Sequence, residues 1–190
     1  MLELLPPGGT VRKLWLGEAD AYRDHLLRLD LESRCRRFSG GVGDDFIVQH
    51  ARSIGAFGVV VYGFFLDGAL RGAAELRPAA PFAREAEAAF SIERPWQSLG
   101  VGSVLLERLL LTARNRGITA LQMHCLAENR RMQQLARKFE AYLKFDFGDV
   151  IAEVDPPRFT GLSLLREWSE DAFGMFSALF DAQSRVVRAD

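Results

Sequence analysis

The chain has 190 residues, 48% hydrophobic and 26% charged, with 24 Lys and Arg against 25 Asp and Glu and a formal net charge of -1. This is the composition of a globular protein long enough for one core, and without a basic stripe to neutralise a phosphate backbone it excludes nucleic acid as the main partner. The longest uncharged run, residues 53–66, is too short to cross a bilayer as a helix, so no membrane partner is expected.

Chain order begins with Met1–Pro7, where an acid interrupts the apolar stretch and no basic segment precedes it, so the expected location is the cytoplasm. Val11 to Leu16 reads as extended. Ala19, Tyr22, Leu26 and Leu29 then recur at three- and four-residue steps, predicting an amphipathic helix ending near Phe38. After a loop at Gly40, Gly41 and Gly43, a short helix is expected from its N-cap Asp44 to about Ser53. Three extended segments follow, Phe57 to Leu66, Ala69 to Arg77 and Ala86 to Glu93, the first two joined as a hairpin through Asp67-Gly68. In the third, Ala86, Ala88, Phe90 and Ile92 alternate with Glu87, Ser91 and Glu93, so its polar face must meet water or a cleft.

A helix from Gly102 to Arg116, a strand from Ile118 to Leu126, a helix opened by Asn129, and a hairpin of Leu143 to Phe147 with Val150 to Val154 through Gly148-Asp149 complete the pattern. The order predicts an α+β fold, a mixed sheet with helices on both faces. Pro156-Pro157 is the only seam: residues 1–157 read as the main domain and 158–190 as a helical extension with Leu162, Leu165, Trp168, Phe176 and Leu179 on one stripe. That stripe packs on the same domain or forms a homodimer interface. Cys35 and Cys125 lack CxxC spacing, and His25, His50 and His124 are scattered, so no disulfide framework and no metal site is expected.

The chemistry-bearing stretch is Gln97-Ser98-Leu99-Gly100-Val101-Gly102, between a strand and a long helix. There, successive N–H groups can point at an anion. A Gly-x-Gly triplet arises by chance about 1.5 times at this glycine content, but only about 0.05 times with a Gln three residues ahead. A simple glycine turn is the plainer alternative. Leu105 stands where GxGxxG needs its third glycine, and no Gly-Lys-Ser/Thr follows, which excludes a Rossmann fingerprint and a nucleotide P-loop.

The segment from Arg94 to Leu106 resembles the acyl-CoA-binding Q/R-x-x-G-x-G/A segment of GNAT acetyltransferases. The stretch Asn129 to Lys138 is similar to the helix after that family's fifth strand, and Glu32-Ser33-Arg34-Cys35-Arg36-Arg37-Phe38 resembles the ES-x-x-x-RF stretch of Pat-type bacterial protein lysine acetyltransferases. The resemblance spans about residues 10 to 155. It implies a GNAT acyl-CoA N-acyltransferase fold with mostly antiparallel strands and an extra C-terminal helix. It also implies acetyl-CoA as co-substrate, with the pantetheine arm on main-chain groups of Ile92, Glu93 and Arg94 and the pyrophosphate beside Gln97 on the N–H groups of Leu99, Gly100, Val101, Gly102 and Ser103. By the same analogy Asn129 and Met132 meet the pantetheine and Arg137 the 3′-phosphate; for Asn129, a helix N-cap is the equal alternative.

Acetyl transfer to an amine needs the free base. For a lysine-like acceptor of pKa about 10.4, deprotonation at pH 7 costs roughly 4.6 kcal/mol. Glu87 is the candidate general base, ten residues before Gln97 as in Pat-like enzymes, with an ion-paired strand residue as its alternative; Glu75 and Glu93 are weaker candidates. The resemblance breaks at Ala136, where many members carry a Tyr that protonates the thiolate, and at Glu140-Ala141, where Gly-Phe is usual. His124, Cys125, Tyr62 and Tyr142 read as packing residues. The expected activity is transfer of an acetyl group to a primary amine, a protein lysine or a small molecule, by direct attack. A catalytically weak acyl-CoA-binding or sensor module is the alternative, and a scaffold that has kept only the fold is a third reading.

Overall fold

A computed structural model of the protein describes residues 5–146, 149–156, 167 and 169. The stripe expected over Leu162 to Leu179 and the turn at Gly148 lie outside the described residues. The helix expected from Ala19 to Phe38 is two helices, α1 (Ala19–Arg28) and α2 (Leu31–Phe38). Leu29 adopts extended backbone at φ -61° and ψ 134°, and the Asp30 carboxylate accepts the Ser33 N–H at 2.9 Å as the N-cap of α2. The apolar spacing carries on through the break, but a new cap restarts the chain in a new direction. Gly43, not Asp44, caps α3 (Asp44–Ala51), and Asp44 and Asp45 lie in its first turn, where the helix dipole favours negative charge.

The strands are β1 (Thr10–Lys13), β2 (Val60–Leu66), β3 (Ala69–Pro78), β4 (Glu85–Ile92), β5 (Ala120–Leu126), β6 (Tyr142–Asp146) and β7 (Asp149–Val154). Two further helices, α4 (Val101–Asn115) and α5 (Arg130–Lys138), interrupt them. The strands form one sheet in the order β1-β2-β3-β4-β5-β7-β6. Asp67 and Gly68 both take positive φ, 51° and 72°, the geometry of a two-residue hairpin turn that keeps the strand twist. All neighbouring strands are antiparallel except β4 and β5. The protein is thus a mixed α+β fold with a mostly antiparallel sheet and helices on both faces.

Alternation along the strands divides the core. On one face Tyr62, Phe64, Ala74, Leu76, Ala86 and Ala88 meet Leu105, Leu106, Leu109 and Ala113 of α4, and the same cluster runs on through Leu121, Met123, Ala136 and Val154. On the other face Val61, Phe65, Leu70 and Ala73 meet Tyr22, Leu26, Ile47 and Ala51 of α1 and α3. Gly63 sits where side chains crowd inward: a Cβ there would stand 2.5 Å from both Leu14 Cδ1 and Leu70 Cδ1. Among the described residues no helix is long and apolar enough to cross a membrane.

Candidate active site

Parallel pairing between β4 and β5 is confined to Glu85–Glu87 against Ala120–Gln122. Beyond it β4 continues to Ile92 and β5 to Leu126, and the two strands part. The turn at Arg94–Trp96 and the loop from Gln97 then carry the chain to α4, whose first N–H groups have no carbonyl one turn earlier to bond. Gly100 forms the N-cap at φ 82°, a left-handed backbone that costs an L-residue roughly 1–2 kcal/mol, and Ser98 holds φ 61° nearby. A helix N-terminus of this kind presents aligned amides and about half a positive charge to an anion.

A cavity of about 370 Å³ opens between the parted strands and α4. Of the residues expected in an acyl-CoA site, Ile92, Gln97, Gly100, Gly102, Ser103, Asn129 and Met132 line it. At Gly102 a Cβ would come 3.5 Å from Leu135 and 3.6 Å from Ile92, so the glycine keeps the space between α5 and β4 open. Asn129 caps α5, its side-chain oxygen accepting the Met132 N–H at 3.2 Å, while it also forms part of the cavity wall. Gln97 is already engaged: its amide donates to the Ile92 carbonyl at 2.8 Å and to Ser33 Oγ at 3.2 Å, and its oxygen accepts from Arg131.

The other expected residues lie outside that wall. Val101 is buried in the core, and Leu99 is exposed at the loop tip. Arg94 pairs across the surface with Asp30 at 3.2 Å and Glu32 at 2.5 Å. The Glu93 N–H bonds the Arg71 carbonyl at 3.0 Å, and Arg137 is exposed on α5. Ser33, Arg36, Ser91 and Arg131 join the wall without having been singled out, and Lys138 donates to Ser103 Oγ at 3.1 Å at the start of α4. The ES-x-x-x-RF stretch held the available signal: its Ser33 and Arg36 project from α2 to the cavity.

Glu87 is exposed on β4, opposite Arg77 of β3 and Gln122 of β5. The same strand face is covered further along. Glu75, 2% exposed, accepts from Tyr22 at 2.9 Å, Arg37 at 2.8 Å and His50 at 2.9 Å through one oxygen, and from Arg77 through the other. Burial alone would raise its pKa, but the His50 hydrogen bond and the charges of Arg37 and Arg77 hold it well below the usual carboxylate range. Burial, then the Glu75 charge, push the Tyr22 hydroxyl far up. Burial likewise opposes the charge on Arg37, which the Tyr22 and Glu75 oxygens and the charge of Glu87 more than offset. Glu75 and Glu93, the weaker base candidates, are thus both locked in ion pairs.

Residues 28–141 match the sequence profile of the acetyltransferase (GNAT) family. The chain belongs to that family. Acetyltransferase Pat of Mycolicibacterium smegmatis is 28% identical over 105 residues, 55% of this chain, and the chain spans only 29% of that longer protein. The GNAT domain of S. lividans PAT superimposes with a TM-score of 0.67 at 26% identity, over 77% of this chain and 90% of that one. The Salmonella typhimurium protein yncA, solved with acetyl-CoA, shares the fold at a TM-score of 0.60 and 17% identity, over 81% of this chain and 97% of its own. Against the GNAT fold the cavity sits at the parted strands and the start of α4.

Proposed function

We propose that the chain transfers an acetyl group from acetyl-CoA to a primary amine, a protein lysine or a small molecule. The observation that carries this reading is the cavity at the β4–β5 split, closed at one end by the N-terminus of α4. In this reading the diphosphate meets the amides of Val101 and Gly102, since those of Ser103 and Val104 already bond the Gly100 carbonyl at 3.0 and 3.2 Å; Arg131 and Lys138 supply positive charge at the rim, and the pantetheine arm runs past Met132 towards Ile92 and Phe90. Gln97 must then yield the Ile92 carbonyl to the arm.

Glu87 is assigned as the general base that takes a proton from the ammonium before the amine attacks the thioester carbon. Its exposed place on the open end of the β4 face, near the charge of Arg37, supports that assignment. Attack forms the C–N bond, collapse breaks the C–S bond, and the thiolate leaves with a thiol-like pKa near 8.5. Ala136 is fully buried, so α5 offers no hydroxyl at that point to protonate the sulfur. That burial favours the second reading, a weakly catalytic acyl-CoA-binding module. Residues 158–190 are proposed as an extension packed on the same domain or at a dimer interface; Glu167, which accepts from Thr112 at 2.9 Å and from Asn115 on α4, supports the first.

Thermal unfolding with and without acetyl-CoA tests the cavity first. Ligand at about 100 times its Kd adds about 2.7 kcal/mol, a Tm rise of roughly 5–10 °C. Glu87→Gln separates enzyme from module: it keeps that rise and loses about 100-fold or more in amine-dependent turnover. Unchanged turnover in the variant removes Glu87 from the mechanism.

A further inference from the structure

Behind the cavity wall lies a second constellation, which the amine-transfer mechanism leaves unused. His25 of α1 is fully buried, with Nδ1 3.2 Å from Glu93 Oε1 and Nε2 3.0 Å from Ser91 Oγ. Glu93 is held in turn by Arg28 at 2.9 Å and Arg71 at 3.1 Å. These contacts bring together residues 66 and 68 positions apart in the chain. Ser91 itself belongs to the wall of the 370 Å³ cavity.

The chemistry of the partners fixes the protons. Burial keeps the His25 imidazole neutral, and although burial opposes ionisation of Glu93, the bonds from His25 and Arg28 keep it a carboxylate. A carboxylate only accepts, so the single imidazole proton sits on Nδ1 facing Glu93. Nε2 is then bare: it accepts the Ser91 hydroxyl proton at 3.0 Å, with the Ser91 carbonyl oxygen lying 3.3 Å away on the same side. This is the polarity of an activated serine: nucleophile to base, base to an orienting carboxylate, each within hydrogen-bond reach.

We propose that Ser91, His25 and Glu93 form a nucleophilic relay that gives this protein a second activity, hydrolysis of the acyl-CoA thioester through an O-acyl-Ser91 intermediate. The inference rests on the acyl-CoA reading of the cavity. Ser91 Oγ attacks the thioester carbonyl carbon while its proton passes to His25 Nε2. The C–S bond breaks and the departing thiolate takes that proton, leaving an ester on Ser91 and free CoA. Water then attacks the ester carbon, gives a proton to His25, and the acid departs as Ser91 regains it. Glu93 stabilises the imidazolium in both halves, and the only co-reactant is water.

The position agrees with the route of the cofactor. A diphosphate at the start of α4 sends the arm along β4 past Ile92, which brings the thioester end towards Phe90 and Ser91, on the same stretch of wall. A purely structural network at this place would hold β4 to α1 but would never carry an acyl group. The two roles therefore differ in a covalent product.

The test mixes the purified full chain with acetyl-CoA in an amine-free buffer, follows free CoA thiol by dithionitrobenzoate, and identifies acylated peptides after rapid acid quench. Expected are repeated turnovers of CoA release and one acetyl group on the peptide bearing Ser91. Ser91→Ala lowers release by at least about 100-fold and removes the acetyl label from that peptide. The quench on the unsubstituted chain needs no variant and decides the matter even if Ser91→Ala fails to fold. A thermal shift with Ser91 never acylated, or label on lysines alone, overturns the relay and leaves the amine-transfer reading standing. Absence of any thermal shift overturns both.

Discussion

Glu75 carries its charge inside the protein because every direction around it supplies a donor. Glu75→Gln leaves Arg37 and Arg77 facing a neutral amide, and breaking such a buried pair costs about 3–5 kcal/mol in urea unfolding at neutral pH. The same carboxylate shapes the acid limb of stability. Its pKa in the fold lies below the ordinary 4.5, so its contribution is complete above pH 4.5 and drains as pH falls towards the folded value. His25, held below its ordinary 6.5 chiefly by burial, acts earlier: the unfolded chain takes up its proton first, and stability starts to fall below pH 6.5. Unfolding free energy measured from pH 8 to 3 therefore declines in two stages, and Glu75→Gln shrinks only the second, to which Asp30 and Glu93, both held below their ordinary range, still contribute. Gly63→Ala drives a methyl against Leu14, Leu70 and Phe65 in a filled core, an overpacking cost of about 1–3 kcal/mol seen as a lower Tm.

The start of α4 and the start of α5 together make the cavity, and their caps separate folding from binding. Gly100→Val forces an L-residue into the left-handed region at the cofactor loop; it costs roughly 1–2 kcal/mol and abolishes the thermal shift with acetyl-CoA. Asn129→Ala loses the α5 cap, about 1 kcal/mol, and Asn129→Ser restores that stability. The acetyl-CoA shift stays diminished in both Asn129 variants, because the serine hydroxyl is too short to reach the arm. The Asn129 cap was legible in the sequence, since Asn is favoured at helix starts, whereas Gly100 was read as a loop glycine ahead of a helix expected from Gly102 and is instead the N-cap of a helix that begins at Val101. The break between α1 and α2 was not, because Leu29 continues the apolar spacing and only Asp30, with its bond to Ser33 N, marks the restart. The alternating polar face of β4 was read correctly as facing a cleft or water at Glu87, which is exposed. Ser91 and Glu93 on that face instead meet α1, whose His25 and Arg28 come from a remote part of the chain that periodicity cannot pair with β4.

Across the whole molecule, the α+β class and the glycine loop followed from local pattern, while the placement of β7 between β5 and β6 depends on long-range pairing that local pattern does not encode. The cavity shares this origin, for Ser33 and Arg36 reach it only once α2 is laid over the sheet. At this scale Glu167→Ala removes the acceptor for Thr112 and Asn115; the expected loss is about 1–2 kcal/mol, read as a lower Tm. The short parallel seam between β4 and β5 has a mechanical side. Three rungs join a four-stranded plate, β1 to β4 with α4, to a three-stranded plate, β5 to β7 with α5, over one continuous apolar floor. Such a joint is stiff below and open above, so a ligand gripping Ile92 on one rim and Met132 on the other acts as a rivet. Amide exchange then slows in β5, β6 and β7 when acetyl-CoA binds, while β2 and β3, riveted already by their neighbours on both sides, keep their rates. The gap that admits the cofactor is also the place where the fold leaves its last degree of freedom for the cofactor to take up.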